Sequence, residues 1–211
     1  MFIPLVDLLR CVRPHEDTWL VASIDESLDR DIVTGTLGCP ICMAEYPIRD
    51  GIVSFDEASP SAVPPAVVSE EDAVRVAAAL DLTDGGMTAL LHGSWGAYAP
   101  IMRGLTPAQL LLVDPPAGIA SGDGISIVRS SGVAPVARGS IAGAAVGADA
   151  AGPMLDSLVT SLKAGGRMLG HVELAVPAGL AELARDEEVW VARREASAAE
   201  SAPVTLTRRS R

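Results

Sequence analysis

The residues with the clearest chemistry lie early in the chain. "GCPIC" holds Cys39 and Cys42, and "CVRPH" places Cys11 and His15 with three residues between them. A tetrahedral zinc site is usually built from two close ligand pairs, because two short loops can wrap the ion from opposite sides. Twenty-three residues separate His15 from Cys39, room for a small hairpin. Three thiolates and one imidazole would make a closed, structural site. Two other readings of the same residues stand beside it. Cys39 and Cys42 could be a redox pair, although no thioredoxin-like strand and helix follow them. Alternatively, Cys11 is a small core hydrophobe and His15 a surface residue beside Glu16 and Asp17, with no metal bound.

The elements that must position these residues fall into two parts. Residues 1–56 contain all three cysteines and end in the strand-like "IVSF". The stretch 57–68 has three prolines and no periodicity, the composition of a linker. At Ser69, "SEEDAVRVAAAL" opens with a capping box and acidic residues in the first turn, so a helix is expected over 70–81. Strand 87–92, a short helix 97–104, strands 109–114 and 125–129, helix 153–163 and strand 167–173 follow. A helix near 178–185 and strands 188–193 and 203–207 complete the reading. Apolar strands alternating with helices predict a parallel sheet covered on both faces, with the last two strands as an antiparallel edge pair. Trp19 and Trp190 read as core.

The net charge is -11 and aromatic residues are 3% of the chain, which argues against a nucleic-acid binder. No apolar run reaches the length of a membrane span. The start lacks the pattern of a signal peptide, and three cysteines do not make a disulfide framework, so a cytoplasmic protein is expected.

"LVDLLRC" followed by "GTLGCPICMAEYPIRDGIVSF" resembles the short zinc-ribbon family that includes the activator subunit of tRNA, rRNA and release-factor methyltransferases. "YPIRDGI" is the most specific part of that resemblance. Farther on, "LKAGGRMLG" is similar to the run before the fifth strand of class I S-adenosylmethionine-dependent methyltransferases. "LLHGSWG" and "LLLVD" stand where that family has its glycine-rich turn and its ribose-binding acid. The resemblance implies that Gly93 and Gly96 lie under the methionine end of S-adenosylmethionine and that Asp114 holds the ribose. His92 replaces the family's acid and Trp95 its middle glycine, so Trp95 is expected to fill part of the pocket. "DPP" at 114–116 is similar to the acceptor loop of amino-methylating enzymes, but it follows the second strand of the unit and lacks the aromatic residue. Asp149 reads as a helix-proximal cap, and His171 as a strand-end histidine.

The expected architecture is α/β: a small zinc-ribbon-like domain (1–56), a linker (57–68) and a reduced Rossmann-like methyltransferase fold (69–211). The ribbon is expected to pack on its neighbour through "YPIRDGIVSF", and a methyltransferase is a candidate protein partner. The expected role is binding or scaffolding by a fold that has lost its chemistry. The other reading is an active methyltransferase whose acceptor the sequence does not name.

Overall fold

The Asp-Gly pair of "YPIRDGI" makes the turn that organises the N-terminal strands. Both residues have positive φ, 52° at Asp50 and 73° at Gly51, as the tight two-residue hairpin turn requires. Gly51 is also needed for space, since a Cβ there would lie 2.9 Å from both the Met1 nitrogen and the Ser121 hydroxyl. The turn joins β3 (Glu45–Arg49) to β4 (Ile52–Ser54), with Arg49 opposite Ile52. Strands β1 (Val21–Leu28) and β2 (Asp31–Gly38) extend the pair into an antiparallel meander of four.

The computed structural model describes residues 1–56, 66–150 and 152–196. The remaining elements are helix α1 (Glu70–Ala79), β5 (Thr88–His92), a 3-10 helix (Gly93–Tyr98), α2 (Ala99–Leu105), β6 (Gln109–Val113) and β7 (Ile125–Arg129). They continue with β8 (Ile141–Val146), α3 (Gly152–Ser161), β9 (Leu162–His171), β10 (Leu180–Arg185) and β11 (Val189–Arg194). All eleven strands form one sheet in the order β1-β2-β3-β4-β7-β6-β5-β8-β9-β11-β10. The run β7-β6-β5-β8-β9 is parallel and has the 3-2-1-4-5 order of a doubly wound, Rossmann-like sheet. The fold is therefore α/β as expected, with β11 and β10 antiparallel at one edge. At the other edge β4 runs parallel to β7, which makes the cysteine-bearing meander part of the same sheet.

Side-chain alternation sorts the strands into two cores. Leu90, Leu111, Val113 and Val128 face α3 and the N-terminal 3-10 helix (Ile3–Leu8), in one apolar cluster with Leu37, Tyr46, Val53 and Phe55 of the meander. Leu91, Leu110, Leu112 and Ile127 face α1 and α2. α1 begins as the sequence predicts, with the Ser69 hydroxyl accepting from the Asp72 amide.

Several expectations are corrected. The helix expected near 178–185 is strand β10, because "LAELAR" pairs with β11 across a bulge between Glu182 and Ala184. The strand expected at 203–207 and most of the 57–68 linker lie outside the described residues. Trp19 is 70% exposed rather than core, with the Arg10 guanidinium 5.9 Å from its ring centre. Trp190 is fully buried, and its indole donates to the Leu174 carbonyl. Among the described residues no helix is long and apolar enough to cross a membrane.

Candidate functional site

Two loops bring the predicted ligands together. An isolated bridge between Arg10 and Trp19 and an ion pair from Arg10 to Asp17 (3.1 Å) close the loop that carries Cys11 and His15. The second knuckle lies between β2 and β3. There the Cys39 amide donates to the Ala44 carbonyl and the Met43 amide to the Cys39 carbonyl, with Met43 in the left-handed region (φ 56°). The ligand atoms of Cys11, His15, Cys39 and Cys42 all lie within 4.8 Å of one another, and together they could hold a metal ion. Cys11 and Cys42 have sulfurs 3.6 Å apart, and the Cys39 sulfur is 3.3 Å from His15 Nε2. Zinc–sulfur bonds of about 2.3 Å at tetrahedral angles put neighbouring sulfurs roughly 3.7 Å apart, so the donor set and its spacing fit that ion.

The surroundings tune the donors. Burial alone would push the Cys39 thiol up, but the amides of Cys42 and Ile41 together with the Cys42 and Cys11 thiols bring it down to about 6. His15 Nδ1 lies 2.6 Å from the Glu16 carbonyl, so the tautomer that donates there leaves Nε2 free to face the thiols. Sequence reasoning missed Tyr46, whose hydroxyl is 3.0 Å from the Cys11 sulfur. Burial, and then the neighbouring Cys11, raise the Tyr46 phenol, so it stays protonated as a donor. Its place in "YPIRDGI", one strand after the second knuckle, was the available signal.

A second constellation lies at the carboxyl ends of β5, β6 and β8, where strand order reverses and where ligands of open α/β sheets bind. Gly93 (φ 58°) follows β5, and Asp114 (φ 48°) follows β6. The structure thus brings Gly93, Gly96 and Asp114 to neighbouring turns. A Cβ on Gly93 would be 3.3 Å from Asp149 Oδ2, and one on Gly147 would be 2.6 Å from Asp149 Oδ1. Asp149 therefore lies over the switch point. A Cβ on Gly96 would be 2.6 Å from Pro115 Cβ, so the two turns are in direct contact. Both Asp114 carboxylate oxygens accept from the Ser130 amide at 3.3 Å, and burial raises the Asp114 carboxyl above its usual range.

The other sequence candidates are accounted for locally. Trp95 does not enter the switch point; it stacks on Tyr98 beside α1, with ring centres 5.3 Å apart. "DPP" is a packing turn, with the Pro115 carbonyl accepting from the buried Arg129 guanidinium at 3.1 Å. His171 Nδ1 accepts from the Glu173 amide at the end of β9. His92, buried at the end of β5, has an Nδ1 without a hydrogen-bond partner. Burial holds its imidazole below the usual range, against the opposing pull of Asp149 and Asp114.

No protein-family model matches the sequence, and no curated protein matches it. Among solved structures, the chain is similar to a tRNA (m1A58) methyltransferase from Aquifex aeolicus, at 11% identity, 85% of this chain, 98% of that one and a TM-score of 0.46. It is also similar to an S-adenosylmethionine-dependent O-methyltransferase from Thermotoga maritima, at 13% identity, 62% and 67% coverage and a TM-score of 0.43. A geranyl diphosphate C-methyltransferase from Streptomyces coelicolor A3(2) matches at 14% identity and a TM-score of 0.41, over 47% of this chain and 44% of that one. The match to a geranyl diphosphate methyltransferase in complex with S-adenosylmethionine likewise spans only 48% of that chain.

Proposed function

We propose that this chain is a divergent methyltransferase-like α/β protein with a binding or scaffold role, carrying an activator-type ribbon and one structural zinc ion. On this reading residues 1–56 are the ribbon, 57–68 a connection and 69–211 the methyltransferase-like part, with the two parts packed within one chain. Zinc is assigned to Cys11, His15, Cys39 and Cys42, supported by three thiols and an imidazole at tetrahedral spacing. Four protein ligands leave no open coordination position, so the ion holds the two knuckles together and does no chemistry. Cysteines serving as ligands rather than as disulfides support a cytoplasmic location. A true methyltransferase is the protein partner this reading favours.

The observation that carries the scaffold role is the packing around the glycine turns: Asp149 beside Gly93 and Gly147, and Pro115 against Gly96. Calorimetric titration with S-adenosylmethionine and S-adenosylhomocysteine should give no binding heat up to about 1 mM ligand, a free energy weaker than roughly -4 kcal/mol. Elemental analysis of protein purified without added metal should give about one zinc per chain.

An active S-adenosylmethionine-dependent methyltransferase is the second reading. It is favoured by Asp114 and Gly93 standing at the carboxyl ends of adjacent strands beside the point where strand order reverses. Sub-micromolar binding that Asp114→Ala abolishes would establish it and overturn the first. Binding that appears only in Asp149→Ala would mean that the carboxylate over Gly93 closes a site otherwise intact.

A further inference from the structure

On the α1 face of the sheet, a cavity of about 320 Å³ opens between α1, the turn after β5 and strands β9 and β11. Its apolar wall includes Trp95, Tyr98, Leu169 and Val191, and its rim carries Asp72, Asp186 and Glu188. The two rings lie 29° from parallel at 5.3 Å, a stacked pair contributed by the turn that a tight glycine loop would otherwise occupy. Asp186 uses one oxygen, Oδ1, to accept from the amides of Glu188 and Val189, each at 2.8 Å. Its other oxygen, and the whole Glu188 carboxylate, make no hydrogen bond among the described residues. Among the described residues Arg75 is the one cation in the lining; its terminal nitrogens bond Glu71 (2.6 Å) and Asp72 (3.5 Å), and its charge also acts on Asp186, so carboxylate still outnumbers cation there. The lining therefore combines aromatic surface with an excess of carboxylate. A cation with apolar substituents satisfies both parts, because ring faces attract cations and the substituents fill the apolar wall. An anion would meet an excess of carboxylate, and a neutral ligand would leave the Glu188 carboxylate and the second Asp186 oxygen with no hydrogen-bond partner among the described residues.

We propose that this cavity is a binding site for a small organic ammonium group, either a free amine or quaternary ammonium compound, or the end of a lysine-type side chain. The volume is at the lower end for ligand pockets, which suits one such group rather than a nucleoside. The site is separate from the switch point and does not depend on whether S-adenosylmethionine binds there.

The test uses the full chain with choline and its neutral isostere 3,3-dimethylbutan-1-ol, followed by the indole N–H signals in nitrogen-15 correlation spectra. Trp95 is assigned by the signal lost in Trp95→Phe. Choline should shift the Trp95 signal with a millimolar dissociation constant, and the isostere should bind about tenfold more weakly, the factor for roughly 1.4 kcal/mol of cation attraction. Glu188→Gln should weaken choline about two- to fivefold, and added salt should do the same. Trp95→Leu should weaken it about tenfold or more, with circular dichroism used to check that the fold is kept. Acetyl-trimethyl-lysine amide binding more tightly than choline would support a protein side chain as the natural occupant, and the reverse a free ammonium compound. Equal binding of choline and the isostere, or no shift of Trp95 at about 50 mM choline, overturns the proposal. So would an unchanged affinity in Glu188→Gln.

Discussion

Val53 is the residue through which the ribbon and the α/β sheet can be tested as one structure. It is fully buried in β4, pairs with Ile48 on the ribbon side and with Val128 of β7 on the other, and belongs to the core cluster shared by both parts. Val53→Ala removes two methyl groups, about 1.6 kcal/mol of transfer free energy at roughly 0.8 kcal/mol each. The cavity left, on the order of 50 Å³, adds about 1.2 kcal/mol if the neighbours do not collapse into it. The expected cost is therefore about 2–3 kcal/mol. For a chain of this size each kcal/mol lowers Tm by about 2–4 °C, so a fall of roughly 5–10 °C is expected. Denaturant unfolding should be followed by two probes, cobalt substituted into the cysteine site and circular dichroism of the whole chain. Both should report the same midpoint in wild type and the same lowered midpoint in the variant. A variant in which only the cobalt signal shifts would refute the reasoning, because the ribbon would then unfold independently of the sheet it pairs with.

Two further perturbations act at the sites themselves. Tyr46→Phe removes the hydroxyl 3.0 Å from the Cys11 sulfur and should lower zinc affinity about tenfold or more against a competing chelator, with the bound stoichiometry unchanged. His92 has a folded-state pKa below its unfolded value, so the unfolded chain binds the proton more readily. Its contribution is present above the unfolded pKa of about 6.5 and is lost as pH falls below it, with a slope of at most about 1.4 kcal/mol per pH unit. Chemical denaturation of wild type and His92→Gln at about pH 7.5 and pH 5.5 should show the smaller acid loss in the variant; equal losses would remove His92 from the account.

The clustering of Cys11, His15, Cys39 and Cys42 was legible because its signal is local. Two short knuckles fix the ligand spacing, and only the return of one loop onto the other is tertiary. The buried strands β5, β6 and β7 were legible from apolar runs with clear ends. "LAELAR" was not, since alternating alanine and leucine among charges suit a helix as well as a strand, and pairing with β11 decided the matter. β8 was hidden by its composition. "IAGAAV" has few strand-forming side chains, yet all six residues are buried between β5 and β9. Small residues are needed there, because a Cβ on Gly143 would be 3.1 Å from Leu80 Cβ of the α1 cap. The packing of Asp149 beside Gly93 could not be read at all. It depends on Asp149 reaching Gly93 from a loop 56 residues away, and the only hint was a polar residue in an otherwise small-residue stretch.

The turns after β5 and β6 and the Cys/His cluster are joined by a short chain of contacts. Beside the knuckles, Tyr46 packs on Phe55 with ring centres 4.6 Å apart. The Phe55 amide donates to the Arg129 carbonyl at 2.8 Å, which extends the β4–β7 pairing by one residue. The Arg129 side chain then turns back to the Pro115 carbonyl, and Pro115 is the residue pressed against Gly96. Each link is a hydrogen bond to a backbone carbonyl or a close-packed contact between buried groups, so none is easily replaced by water. The N-terminal meander thereby braces β7 and, through it, the turn after β6. The N-terminal meander, whose sequence resembles a family that includes a methyltransferase activator, is built into one side of the sheet through the β4–β7 pairing. That arrangement suits a protein whose α/β part serves as a fixed surface, with the aromatic and acidic cavity beside α1 open on the other side of Trp95.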